Sequence, residues 1–209
     1  MTVEQAGTRL VHVLPGGNPP GSAGAAALVA EAEGGCVTLE SMESIAPDTL
    51  HIWKEMGEEL RLKSAAAFYA DNTLKEFQRA ADMFIARNKN FRPAFVKRLP
   101  VEKRAFYLAT LGVPSDLIGQ LLVSYHFTYQ RAMMSEFLNA LGIANEDGVI
   151  SEATEVSAPT KETLARAVEE VKGKFPAQDL YLYLATLHAQ NPETWNGLEE
   201  VLPGLQAAK

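Results

Sequence analysis

The sequence predicts an all-α protein: a bundle of about seven helices holding two related helical hairpins, behind an irregular N-terminal extension rich in Gly, Ala and Pro. Three observations predict it. After residue 42, apolar residues recur at steps of three and four. Prolines and capping residues punctuate that stretch at helix-length intervals. And the pentapeptide Tyr-Leu-Ala-Thr-Leu occurs twice, at 107–111 and at 183–187.

The 209 residues divide by composition into two parts. Residues 1–41 contain no aromatic side chain and read as a flexible or loosely docked extension, whereas 42–209 read as the helical domain. Short alternating runs at 8–14 and 36–39 have the look of strands. Between them GGNPPGSAG, residues 16–24, blocks regular structure. A lesser alternative makes this part an upstream leader, with translation starting at Met42. The glycine stretch lacks the terminal Gly-Lys-Ser/Thr by which a phosphate loop grips its ligand, so it reads as a linker.

Each helix of the second part has its own signal. Over 48–70, Leu50, Trp53, Met56 and Leu60 keep near-helical spacing. Thr73 followed by Glu76 reads as a capping box opening a helix to about Arg87, with Leu74, Phe77, Ala81, Phe84 and Ile85 on one face. Pro93 and Pro100 each start a new helix, since proline is tolerated only in the first turn. The longest element spans 115–141, where a stripe from Leu117 through Tyr125, Tyr129 and Phe137 to Leu141 faces a core. Gly142 stands where a left-handed cap wants glycine. Residues 143–159 are polar and turn-rich. Thr160 caps a helix to about Lys174, Pro176 opens one to about Gln190, and Asn191-Pro192 starts the last.

The two pentapeptides stand 76 positions apart and share their flanks. Pro100 and Pro176 each precede the tyrosine by seven residues, Leu99 matches Phe175, and Phe106 matches Leu182. Allowing two inserted residues, Pro114, Leu117 and Gly119 match Pro192, Trp195 and Gly197. The expectation is one hairpin plan used twice, with Tyr107 and Tyr183 packing the same seam and Thr110 and Thr186 bonding one turn back. Two units are too few for an open solenoid, so a closed bundle is expected.

Composition also narrows function. A net charge of −7 argues against nucleic acid as a partner. A single cysteine, Cys36, excludes an intrachain disulfide framework. No apolar run approaches the roughly 20 residues of a membrane span, so a cytoplasmic protein off the membrane is expected. No two of His12, His51, His126 and His188 share the spacing of metal ligands on one helical face. The acidic turn at 145–148 fails as a calcium loop, because the residue twelve positions in is Val156. No cofactor is expected, and no catalytic arrangement can be nominated.

Two groups remain as candidate sites. Tyr125, His126 and Tyr129 would line a pocket if the bundle were hollow. From 87 to 104, seven basic residues stand against one acid, with Phe91, Phe95 and Phe106 among them. Arg92, Lys97, Arg98, Lys103 and Arg104 form the candidate basic surface. Residues 143–204 carry eleven acids and four bases, so the basic stretch could dock on that half, within one chain or between two. The preferred reading is a non-enzymatic interaction or scaffold protein, binding another protein or itself as a homodimer through an exposed helix face. A small-molecule or enzymatic bundle with a pocket at His126 comes second. An anion or nucleic-acid binder using the basic segment 87–104 comes third.

Overall fold

The computed structural model describes residues 47–151, 154 and 156–206. The expected extension 1–41, with its strands, Cys36, His12 and glycine-rich segment, lies outside them. The described chain is an all-helical bundle: α1 (Thr49–Glu55), α2 (Glu58–Ala70), α3 (Lys75–Asn88), α4 (Pro93–Val96), α5 (Val101–Thr110), α6 (Ser115–Tyr129), α7 (Arg131–Ala140), α8 (Lys161–Lys172), α9 (Ala177–Gln190) and α10 (Leu198–Gln206). Ten helices stand among the described residues where about seven were expected, largely because two long ones each split.

The first split falls at Met56-Gly57, both extended, and glycine's poor helix propensity marks the place. The second falls at Gln130 (φ −123°, ψ 15°), after His126-Phe127-Thr128-Tyr129, four residues from the weaker part of the helix scale. There the Arg131 side chain donates through Nε to the Phe127 carbonyl, 2.8 Å away, which continued helix would have satisfied from the backbone.

Capping decides several other boundaries. Thr73 and Glu76 do not form a capping box. Asp71 Oδ1 instead accepts from the Thr73 amide (2.8 Å) and hydroxyl (2.7 Å), a 3-10 turn covers Asn72–Leu74, and Glu76 pairs forward with Arg79. Thr160 caps α8 as expected, accepting from the Thr163 amide. Asn191 accepts from the Thr194 amide, but turns follow it and α10 begins only at Leu198. Gly142 ends α7 with φ +72°, and Ile143 N–H reaches back to the Leu138 carbonyl, a left-handed cap of the expected kind.

One contiguous apolar core runs through these helices. On one side α2 packs against α5 and α6, with α3 against α5; on the other α9 packs against α10 and α1, and α8 against α7 and α10. Contact between α6 and α9 joins the two sides. Eight residues of α9, from Leu180 to His188, are buried, so this helix is apolar nearly all round and occupies the interior. Phe77, expected on the core face of α3, is instead exposed, leaving Ala81, Ile85 and Ala86 to face inward.

The paired segments agree in local form and differ in setting. Pro100 and Pro176 take the same extended conformation immediately before a helix. Thr110 and Thr186 both donate one turn back, to Phe106 O (2.8 Å) and Leu182 O (2.7 Å). Yet Thr110 is exposed and Thr186 buried. Pro114 leads straight into α6, whereas turns follow Pro192. A side chain at Gly119 would meet open space, while one at Gly197 would meet Leu164 at 2.7 Å. The likeness ends with the first helix of each pair.

Candidate functional site

His126 lies inside the bundle, 3% exposed, on the face of α6 that meets α9. Its Nε2 is 3.1 Å from Thr186 Oγ1, and its ring stands edge-on to Tyr125 and Tyr183, each 5.5 Å away between centroids. Thr186 has one hydroxyl proton and gives it to Leu182 O, so the imidazole must be the donor to Thr186. That fixes the tautomer protonated at Nε2 and leaves Nδ1 as a buried lone pair without a partner. A second proton would have to sit on Nδ1, far from water. Burial therefore pushes the pKa down to about 3.

Of the three residues expected around a pocket, Tyr125 and His126 are buried and Tyr129 is about half exposed. Tyr125 Oη accepts from Gln130 Nε2 at 3.3 Å, and the two tyrosine rings lie 5.4 Å apart. The structure brings Tyr125 and His126 into a packed seam. A groove does occur elsewhere, between α1, α2 and α9, lined among others by Ile52, Met56, Leu60 and Leu182. There the Tyr181 hydroxyl donates to Glu55, and burial with the nearby carboxylate pushes its pKa up to about 12. Neither Tyr125, His126 nor Tyr129 lines that groove. Spacing along the chain gave no hint of Thr186, sixty residues from the histidine it holds.

The candidate basic surface is divided by the fold. Arg104 turns inward: its Nη1 lies 3.2 Å from Asp82 Oδ2, its guanidinium stacks 4.4 Å over the Tyr69 ring, and Tyr69 Oη donates to Asp82 at 2.9 Å. Burial, with the Asp82 charge alongside, pushes the Tyr69 pKa up. Arg104 is thus a structural member of a half-dry triad. Arg92, Lys97, Arg98 and Lys103 are exposed, and among the described residues no carboxylate comes within ion-pairing distance of them.

The same stretch of chain carries a row of four rings. Phe95 meets Phe91 at 5.1 Å, Phe91 meets Tyr107 at 5.9 Å, and Tyr107 meets Phe106 at 6.0 Å, each pair edge to face. Lys89 Nζ stands 5.4 Å over Tyr107 and Lys103 Nζ 5.9 Å over Phe106. Phe95 is 50% exposed and Phe106 44%. The local fold explains their position. Asn90 ends α3 in the left-handed conformation (φ +54°), with Phe91 N–H returning to Ala86 O, and Pro93 then restarts the chain as α4. Val96 is buried as the anchor of that single turn, which leaves Phe95 facing out. The sequence showed the alternation of rings and cations but not Tyr107 as the ring that joins them.

No group of three His, Cys, Asp or Glu side chains suited to a metal ion occurs among the described residues, and no helix there is long and apolar enough to cross a membrane. Compared with protein-family models, with curated proteins and with solved structures, the chain matches none of them.

Proposed function

We propose that this chain is a non-enzymatic interaction protein whose working surface is the outer face of α4 and α5. The observation that carries the reading is the coincidence, on one short stretch of chain, of two half-exposed phenylalanines with four exposed cations that have no ion-pairing carboxylate among the described residues. Single exposed apolar residues are ordinary on any surface; rings joined in a row with cations close by in the chain suit a docking site better. The reading has physical economy. Burying Phe95 and Phe106 against a partner removes apolar area from water at about 25 cal/mol per Å², and the surrounding ammonium and guanidinium groups set orientation and association rate.

A pocket at His126 is less well supported, since two aromatic neighbours and one hydroxyl pack against that buried ring. A photo-crosslinking residue placed at Phe106, with a control at exposed Arg166 on α8, tests the reading in cells expressing the full chain. Adducts are expected from position 106 and not from 166, and they should fade when Lys97 and Arg98 are reversed to glutamate. Equal labelling from both positions, or none from either, would remove it.

A further inference from the structure

Resting on that docking reading, we infer that the occupant of the α4–α5 face is an acidic peptide segment of a partner protein, carrying bulky apolar side chains between its carboxylates. The chemistry of the rings decides this. A nucleic-acid strand binds to aromatic residues through open ring faces, on which bases stack. Here Lys103 stands over Phe106 and Lys89 over Tyr107. The neighbouring rings meet at 61° to 70°, edge against face, so no two of them present parallel faces to successive stacked bases. What the surface offers instead is apolar ring edge with Lys103 over one ring, close in the chain to the exposed Arg92, Lys97 and Arg98, and none of these four cations has an ion-pairing carboxylate among the described residues. Leucine or phenylalanine side chains can lie against the edges while aspartate or glutamate meets the cations.

The net charge of −7 across the chain adds a penalty for any long polyanion that a short acidic peptide largely escapes. A second copy of this chain is a poorer occupant, because four carboxylates of its acidic half already have partners: Asp147 with Arg131, Glu169 with Lys172, Glu200 with Lys161 and Glu199 with His188. Releasing them would forfeit those pairs on docking.

The test uses the full chain and a fluorescein-labelled synthetic peptide of Asp and Glu interrupted by Leu and Phe, followed by fluorescence anisotropy. Companion probes are polyglutamate, the same peptide with Gln for every acid, and single-stranded oligothymidylate. The mixed peptide is expected to bind roughly tenfold more tightly than any companion. The pair Lys97→Glu with Arg98→Glu, and separately Phe95→Ser with Phe106→Ser, should each weaken it by about tenfold. All four positions are exposed, and a thermal melt confirms that each variant folds. Equal or tighter binding of oligothymidylate, or of the Gln peptide, would overturn the acidic occupant. So would self-association, seen by light scattering, that the Phe95 and Phe106 changes abolish. In those three outcomes the docking face stands and its occupant is reassigned. If no probe binds and the chain stays monomeric at every concentration, the docking reading falls as well.

Discussion

Thr110 and Thr186 hold the same place in an identical pentapeptide and make the same bond one turn back, yet they do different work. In the buried copy the hydroxyl also accepts the Nε2 proton of His126; in the exposed copy water is at hand for both partners. Thr186→Val should therefore cost about 1–3 kcal/mol of stability by stranding a buried donor, and Thr110→Val no more than about 0.5 kcal/mol. Equal losses in urea melts would refute the distinction. His126 gives the molecule a pH signature. Its folded-state pKa of about 3 lies below the ordinary 6.5, so as pH falls through 6.5 the unfolded chain takes up the proton first. This contribution to stability is full above about pH 6.5 and is lost progressively toward pH 3, by up to about 1.4 kcal/mol per pH unit. The variant His126→Asn should show a shallower fall between pH 6.5 and 4.5, and a slope equal to the wild type would sink the assignment.

Among the elements, boundaries were fixed by whichever side chain reached the free backbone groups. The stretch Asp71-Asn72-Thr73-Leu74-Lys75-Glu76 holds two acids near the entry to α3, and Asp71 caps the 3-10 turn that leads into it because its short side chain folds onto Thr73 while Glu76 is drawn to Arg79. Asp71→Ala should lower stability by about 1 kcal/mol and Glu76→Gln by less than about 0.5 kcal/mol. The reverse order in thermal melts would restore the capping box. The break between α6 and α7 has a comparable cause. A stripe from Leu117 to Leu141 argued for one helix, but Tyr129 and Ala132 within it are exposed, and the chain re-aims at Gln130 so that Met133 and Phe137 still face the core. The acidic turn at 145–148 is likewise more than a loop tip. Gly148 takes φ +79°, and a Cβ there would come within 2.7 Å of Met134, so the turn is pressed onto α7 where only glycine fits.

Across the whole molecule, charge is sorted by whether it is spent inside the fold or left outside. Arg104 and Arg98 belong to the same basic stretch, yet Arg104 closes a triad with Asp82 and Tyr69 whose charged side chains are only 17% exposed. Arg104→Ala should cost about 2 kcal/mol or more by stranding Asp82, and Arg98→Ala less than about 0.5 kcal/mol. Chemical denaturation of both variants checks this, and equal effects would mean that Arg104 is also a surface charge. Of the other cations, Lys89 and Lys103 stand over rings of the row that joins α4 to α5, and Arg92, Lys97 and Arg98 stay exposed close by in the chain. The sequence by itself determined the helical class, the helix starts at Thr160 and Pro176, the left-handed end at Gly142, and the alternation of rings and cations around Phe95. These are local consequences of backbone sterics, capping and side-chain period, all legible within a turn or two of chain. Only the tertiary structure decided that α9 lies inside while α5 keeps one side wet, that His126 finds Thr186, and that Arg104 turns away from its neighbours. Depth of burial depends on which helices pack against which, and those partners sit tens of residues apart, so identical five-letter stretches can meet opposite surroundings.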